Sequence, residues 1–511
     1  MKKAFIFLFS MFFVLICFVG CTPKEDPIIF DGFRLDKYLY SESEEIEVEV
    51  SGYGDGYYLG IFNATSEPGK SNGYKKKSLK DDISIYTFDA SDLRGSGEYQ
   101  IFLYKKTINS VVQREVIKIW DNDKTDYVVQ NAEFTSNIEN NVTSSSIKIT
   151  PSNLKESSKE LTYRIYWANN NQRLEDYRYI KEVKSSEVSE FTINFNECMF
   201  MPSVASQIEV EVFEGSSSSY FIDVDDKLKL PESKYLFNFQ VVSDIHLDGQ
   251  YSFTQHTFHL SSAIKDFSSQ TDPSKGVFFV GDLSNFGSDG NYKFLKETMD
   301  KYKEETSLNL YFAIGNHECQ YYDEYIDAKT KFLNFVNRSS VYTSIEINGC
   351  LFILLGQEDT TTQGTMTQDQ VDWFESELNK TDGTKPTFVF MHQPLSGTVN
   401  GAFSGQGNSG MGNVDSKLRA ILKKHSNVFM FSGHSHRTPD LEKTTSYGKG
   451  LDATFINTGS LGYLLGLDDV EVGGSSGLFI EVYEDYVLVK AKNFVEGKWY
   501  ASSQYIFPIT E

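Results

Sequence analysis

No histidine precedes His246 in this chain, and five of its eight histidines stand just after runs that read as buried strands. The runs are Leu236–Ser243, Gly276–Gly281, Leu308–Gly315, Pro386–Met391 and Asn427–Ser432, with a sixth at Cys350–Gly356. Five short patterns close them: Asp244-Ile-His246, Gly281-Asp282, Gly315-Asn316-His317-Glu318, His392, and Gly433-His434-Ser435-His436. Helix-like stretches lie between at Thr254–Phe267, Asn291–Lys303, Tyr321–Val336, Gln368–Leu378 and Val414–His425. Strands alternating with helices predict an α/β domain over residues 235–511 with a largely buried sheet. In such sheets chemistry collects at the carboxyl ends of strands, where all five patterns fall. Alternation resumes from Leu478 to Pro508, which is expected to add edge strands.

Before Leu230 the period is two. Glu45–Val50, Tyr99–Tyr104, Ser146–Ile149, Tyr163–Tyr166, Phe191–Phe195 and Ile208–Phe213 alternate polar and apolar, and turn-forming clusters separate them. Many short strands at this spacing predict antiparallel sandwiches. About 200 residues suit two of them, at 28–122 and 127–230, with a boundary in the polar run Asp121–Asp126. A prior of about 150 residues per domain agrees with three units in 511 residues. The β segments resemble immunoglobulin-like or fibronectin-like modules in pattern. They hold no histidine and no acidic cluster at calcium-loop spacing, so they are read as spacers or as surfaces for glycan or protein contact.

Lys2 and Lys3 followed by the apolar run Ala4–Val19 read as a signal peptide over residues 1–20. Phe18-Val-Gly-Cys21 resembles a bacterial lipoprotein processing site, which would put lipid on Cys21 and anchor the remainder outside the cytoplasmic membrane; an uncleaved anchor is the alternative. With 48 Lys plus Arg against 71 Asp plus Glu, the net charge of −23 repels nucleic-acid backbones, so no nucleic-acid polymer is expected as a partner. Cys198, Cys319 and Cys350 remain in the body of the chain, too widely spaced for a disulfide framework or zinc ribbon; a Cys319–Cys350 bridge and buried free thiols both stay open.

Two carboxylates (Asp244 and Asp282), the Asn316 amide and the imidazoles of His246, His392, His434 and His436 make an oxygen and nitrogen donor set without thiolate. Such a set suits manganese, iron or zinc. A two-metal hydrolase needs cations about 3.5–4 Å apart with one shared ligand, and Asp282, on a Gly-Asp turn, is the natural bridge.

Taken together and in order over roughly 190 residues, these five patterns resemble the calcineurin-like metallophosphoesterases. The resemblance implies a four-layer α/β/β/α fold, a phosphate-ester substrate and two divalent or trivalent ions. It implies Asp244, His246, Asp282 and His436 on one ion, and Asp282, Asn316, His392 and His434 on the other. His317 would be catalytic without being a ligand. Asn457-Thr-Gly-Ser460 resembles the turn that follows the last motif. Asn285 stands where purple acid phosphatases need tyrosine, and Gly281–Gly287 lacks the arginine of protein Ser/Thr phosphatases. The large C-terminal domain of secreted 5′-nucleotidases is not expected. Phosphodiester and phosphomonoester hydrolysis both stay open, as does a surface binding protein whose phosphoesterase domain is a scaffold. Glu318 is expected to support the ligands, and Arg437 either to reach a phosphate or to be solvated. His256, His259 and His425 are expected at the surface. The six-glycine stretch Ser396–Gly412 is either a substrate loop or an insertion.

Overall fold

The computed structural model describes residues 32–510, leaving out 36–38, 42, 64–67, 69–72, 82, 94–96, 107–110, 121–128, 140–141, 152–159, 214–217, 225–227, 249–253, 407–409, 448–450 and 452. The signal sequence, Cys21 and the polar run at 121–126 lie outside the described residues. No helix among the described residues is long and apolar enough to cross a membrane.

Period-two sequences make two β units. In the first, Gly32–Leu35, Glu45–Ser51 and Ile85–Asp89 form one sheet, facing a five-stranded sheet that contains Tyr57–Asn63, Gly97–Lys105 and Val111–Trp120. Ile46, Val48 and Val50 point inward while the intervening glutamates face water, and both sheets contribute to one core. The second unit repeats this plan with Val129–Glu139, Val142–Pro151 and Phe191–Asn194 against a sheet built on Leu161–Asn169 and Gln207–Phe213.

Two six-stranded sheets build the third unit. One runs Leu310–Ala313, Val277–Val280, Tyr235–Val242, Ser476–Tyr483, Tyr486–Asn493, Lys498–Pro508; its first three strands are parallel. The other runs Thr343–Ile347, Cys350–Leu354, Thr387–Phe390, Val428–Ser432, Thr454–Asn457, Thr445–Ser446, with its middle four parallel. Continuous apolar runs split by parity. Phe237, Phe239, Val241, Phe278, Phe352, Phe388, Phe390 and Phe431 share one cluster drawn from both sheets. Alternate residues of the same strands turn outward: Val242, Val277 and Phe279 meet the helices Thr254–Ser268, Asp289–Thr306 and Tyr325–Val336. Ile353, Val389 and Met430 meet Gln368–Leu378 and Asp415–Leu422. The Phe239 ring sits 5.6 Å from Phe278 in its own sheet, and 5.0 and 4.8 Å from Phe352 and Phe388 in the other. Edge-to-face contacts of this kind fix the sheets' relative placement beyond simple burial.

Two features differ from the sequence expectation. Ser476–Tyr483 is an interior strand, paired with Tyr235–Val242 on one side and Tyr486–Asn493 on the other, so of the three C-terminal strands only Lys498–Pro508 lies at an edge of the sheet. Even that edge is covered: the Phe200 amide donates to the Gln504 carbonyl at 3.2 Å and the Ile506 amide to Cys198 at 2.9 Å, from the second β unit. Thr343–Ile347, a half-buried strand with polar alternation, was not foreseen. Cys198, Cys319 and Cys350 are free and buried.

Replacing Phe239 by alanine should cost about 3–5 kcal/mol, the range for a buried aromatic lost from a core that relaxes little. Urea unfolding of the two proteins measures it; a loss below about 1 kcal/mol would show that the sheets are not locked through this ring.

Candidate metal centre

Each sequence pattern leaves its strand at the carboxyl end, and the ladders continue through the turns. The Asp244 amide donates to Gly281 O at 3.1 Å, His246 to Asp282 O at 3.0 Å, and Gly433 to His392 O at 3.0 Å. The turns are tight because the backbone is left-handed at five donor residues: Asp244, His246, Asp282, His434 and His436 have φ between 49° and 66°. For residues with a Cβ this region is sparsely populated and costs of order 1–3 kcal/mol each, which the surrounding bonds must overcome. Gly281, at φ +83°, lies so near the His392 ring that a Cβ would meet Nδ1 at 2.6 Å. Any other residue there would push His392 out of place.

These turns bring the donors together. Asp244, His246, Asp282 and His436 form one group, and Asp282, His392 and His434 a second, each with its donor atoms within 4.8 Å of one another; Asp282 belongs to both. His436 Nε2 is 3.1 Å from Asp244 Oδ1, His392 Nε2 is 3.1 Å from Asp282 Oδ2, and His246 Nε2 is 3.9 Å from Asp282 Oδ2. Asn316 Oδ1, the neutral oxygen, lies 3.0 Å from His392 Nε2. The two sheets are tied here as well: the His434 amide donates to Asp244 Oδ2 at 3.0 Å.

Ring orientation follows from outer hydrogen bonds. His392 Nδ1 bonds the Val280 carbonyl at 2.8 Å, His436 Nδ1 that of Tyr463 at 3.1 Å, and His317 Nδ1 that of Asn285 at 3.0 Å. A carbonyl can only accept, so each Nδ1 carries a proton and each Nε2 is left facing the centre; at His392 and His436 it becomes a lone pair for a metal once its own proton is displaced. His246 and His436 point Nε2 at Nε2 at 3.2 Å, an arrangement suited to a shared cation.

The electrostatics agree. Burial would raise the Asp244 carboxyl, but the His436 and His392 imidazoles outweigh it and hold it at about 2; Asp282 is held well below the carboxylate range by His392, His317 and His246 against the same burial. Burial pulls His392 down, yet Asp282 and Asp244 lift it to about 9, while His434, with burial dominant and His392 beside it, falls to about 4. The two carboxylates therefore draw positive charge onto the nearest imidazoles. Two buried anions that otherwise pull protons onto their neighbouring imidazoles are what divalent ions neutralise in the protons' place, so the residues present fit the implied metals.

Glu318 ties the Asp282 loop to its own loop after Gly315. Its oxygens accept from the amides of Asp282 at 3.0 Å, Gly315 at 2.9 Å and Ser284 at 2.9 Å, and burial, then the Asp282 charge, push its carboxyl up to about 7.

Three expectations are corrected. His256 and His259 are buried: His256 Nδ1 bonds the His246 carbonyl at 3.1 Å, and His259 Nδ1 that of Leu461 at 2.8 Å. His425 is half-buried. Arg437 is neither solvated nor aimed at the donors; fully buried, it ties the carbonyls of Gly466 and Gln406 to Asp469. The described part of 396–412 packs behind the last motif, where a Cβ on Gly401 would run into Ser435 Cβ, and the Asn400 amide donates to Lys443 O at 2.9 Å. Tyr463, which carries no motif, escaped sequence reading: its ring lies 4.2 Å from His436.

Residues 237–438 match the family model described as calcineurin-like phosphoesterase. The chain carries a calcineurin-like phosphoesterase domain. Among solved structures, a conserved uncharacterized protein from Streptococcus pneumoniae TIGR4, titled a predicted phosphoesterase, is 13% identical, covering 53% of this chain and 97% of its own at a TM-score of 0.28. Vacuolar Protein Sorting 29 from Cryptosporidium parvum is 11% identical, covering 54% and 100%, with a TM-score of 0.29. The D0-D1 domain of intimin is 11% identical, covering 38% and 99%, at 0.15. Comparison with curated proteins finds no match.

Glu318→Gln in this phosphoesterase domain turns one acceptor oxygen into an NH₂ facing a backbone N–H. Metal affinity should fall about 10–100-fold, as for other outer partners of ligands. Competition with a chelator measures it, and unchanged affinity would remove Glu318 from the supporting role.

Proposed function

We propose that this protein hydrolyses phosphate esters outside the cytoplasm at a binuclear metal site. The observation that carries the reading is Asp282: one carboxylate stands in both donor groups, as a bridging ligand must. Asp244, His246, Asp282 and His436 would hold one ion, and Asp282, Asn316, His392 and His434 the other. Manganese, iron or zinc, once bound, would polarise the phosphoryl oxygens and supply an acidic water.

The chain's own contribution is orientation and proton supply. His317 is held by Asn285 through Nδ1, and its own amide donates to Asp282 Oδ1 at 2.9 Å. Its Nε2 lies 3.9 Å from Asp282 Oδ2 while a quarter of the side chain stays exposed, so the ring spans the interval between the donors and solvent. From there His317, when it carries a second proton on Nε2 as an imidazolium, can protonate the leaving oxygen or steady the transferring phosphoryl group.

The same reading takes the domain as a four-layer α/β/β/α fold, supported by helices packed outside both sheets. It takes the two β units as immunoglobulin-like or fibronectin-like modules, and Cys21 as a lipid anchor, on the strength of the N-terminal sequence.

Purified protein loaded with Mn²⁺ should hydrolyse p-nitrophenyl phosphate or its bis ester, and the preferred one assigns monoesterase or diesterase. Inactivity on both with Mn, Fe, Zn and Co would sink the enzymatic reading. Asp282→Asn should lose one or both metals and all activity. His317→Ala should keep both metals by elemental analysis and lose about 10²–10⁴-fold in turnover, least on esters with good leaving groups. Metal loss in His317→Ala equal to that in Asp282→Asn would erase the distinction between ligand and proton donor.

A further inference from the structure

Two aromatic rings at the rim of the centre are left out of the protein's packing. Phe286 is 45% exposed and Tyr321 is 52% exposed, and neither joins a hydrophobic core, although Tyr322 packs against one. Each follows a motif residue by four positions, Phe286 after Asp282 and Tyr321 after His317. Their centroids are 5.0 Å apart at 66°, and Tyr321 lies 5.7 Å from the His317 ring. A third ring, the half-buried Tyr463, lies 5.9 Å from His246.

The platform under the pair is firm. Glu318 clamps both loops, His317 bonds Asn285 beside Phe286, and the Tyr322 hydroxyl donates to Gly287 O at 2.6 Å. Gly287, at φ +58°, sits so close that a Cβ would meet Glu318 O at 2.6 Å, so the loop after Phe286 cannot drift from that of Tyr321. Exposed rings held on pinned loops have given up their packing energy without gaining freedom, the usual condition of a binding surface.

We infer that Phe286 and Tyr321 form an aromatic subsite that takes a planar ring on the ester's leaving side. The inference rests on reading the centre as one that takes a phosphate ester. With the phosphoryl group at the donors, the leaving oxygen faces His317, and the next group outward meets Tyr321 and Phe286. A planar π face stacks there, whereas a saturated group gains only apolar contact. An aryl ring on the leaving oxygen and a nucleobase one sugar away share this chemistry.

Non-hydrolysable phosphonates test the subsite by calorimetry on the Mn²⁺-loaded protein: phenylphosphonate, the 5′-methylenephosphonate analogue of adenosine monophosphate, cyclohexylphosphonate and methylphosphonate. At least one planar ligand should bind about tenfold or more tightly than methylphosphonate and more tightly than cyclohexylphosphonate, and which one does so separates an aryl group from a nucleobase. Phe286→Ala with Tyr321→Ala should erase that advantage, and Phe286→Leu with Tyr321→Leu, which keeps apolar bulk, should erase it too; metal content and thermal unfolding verify that both pairs are folded and loaded. Equal binding of planar and saturated phosphonates, absence of binding by all four, or an advantage that survives in both variants overturns the inference. Ring-dependent binding without hydrolysis of any ester would leave the subsite standing and defeat the catalytic reading, while hydrolysis without ring dependence would do the reverse.

Discussion

Two carboxylates, Asp244 and Asp282, lie buried within a few ångströms of each other, and the rest of the domain is arranged around that fact. Moving an ion out of water costs several kcal/mol even after relaxation, and two like charges repel besides. Each carboxylate therefore needs donors on every side: imidazoles in front, and behind them backbone amides such as those of His317 and His434. A site of this kind is assembled from short backbone turns because only main-chain groups can approach so closely without filling the space that cations need.

That demand explains the strained geometry. Strands can deliver side chains to one point only if the chain reverses immediately after them, and the left-handed residues at 244, 246, 282, 434 and 436 make those reversals. Their cost is offset below, where rings from both sheets interlock around Phe239 and hold the strand ends at fixed separation. Rigidity in the greasy layer and strain in the polar one are two sides of a single construction.

Much of this was legible in sequence. Apolar runs of strand length ending in Asp, Asn or His sufficed to place the strands, and the order of the motifs placed the donors at one end of them. Glu318 was legible for the same reason, being next in line after His317. What escaped depended on contacts distant in sequence. A histidine within an amphipathic helix shows the same period whether it faces water or another unit, so His256 and His259 gave no local sign of burial. Arg437 follows His436, where a phosphate-binding arginine could stand, and only the fold of residues 465–469 reveals where it turns. Ser476–Tyr483 alternates like an edge strand through part of its length, and its interior place depends on Tyr235–Val242, more than 200 positions earlier.

The burial of His259 has a wider meaning. Its Nε2 lies 3.6 Å from Glu115 Oε1, both side chains sealed from water, and Glu115 belongs to the first β unit. One turn earlier on the same helix, His256 grips the carbonyl of His246. A single helix therefore touches a donor residue with one histidine and a neighbouring unit with the next. The β unit acts as a buttress, and the phosphoesterase domain is not a cassette to be lifted out and fitted elsewhere. A chain trimmed to begin near Leu236 would bare His259 and Phe258 to water and leave the helix that braces His246 unsupported on its outer side.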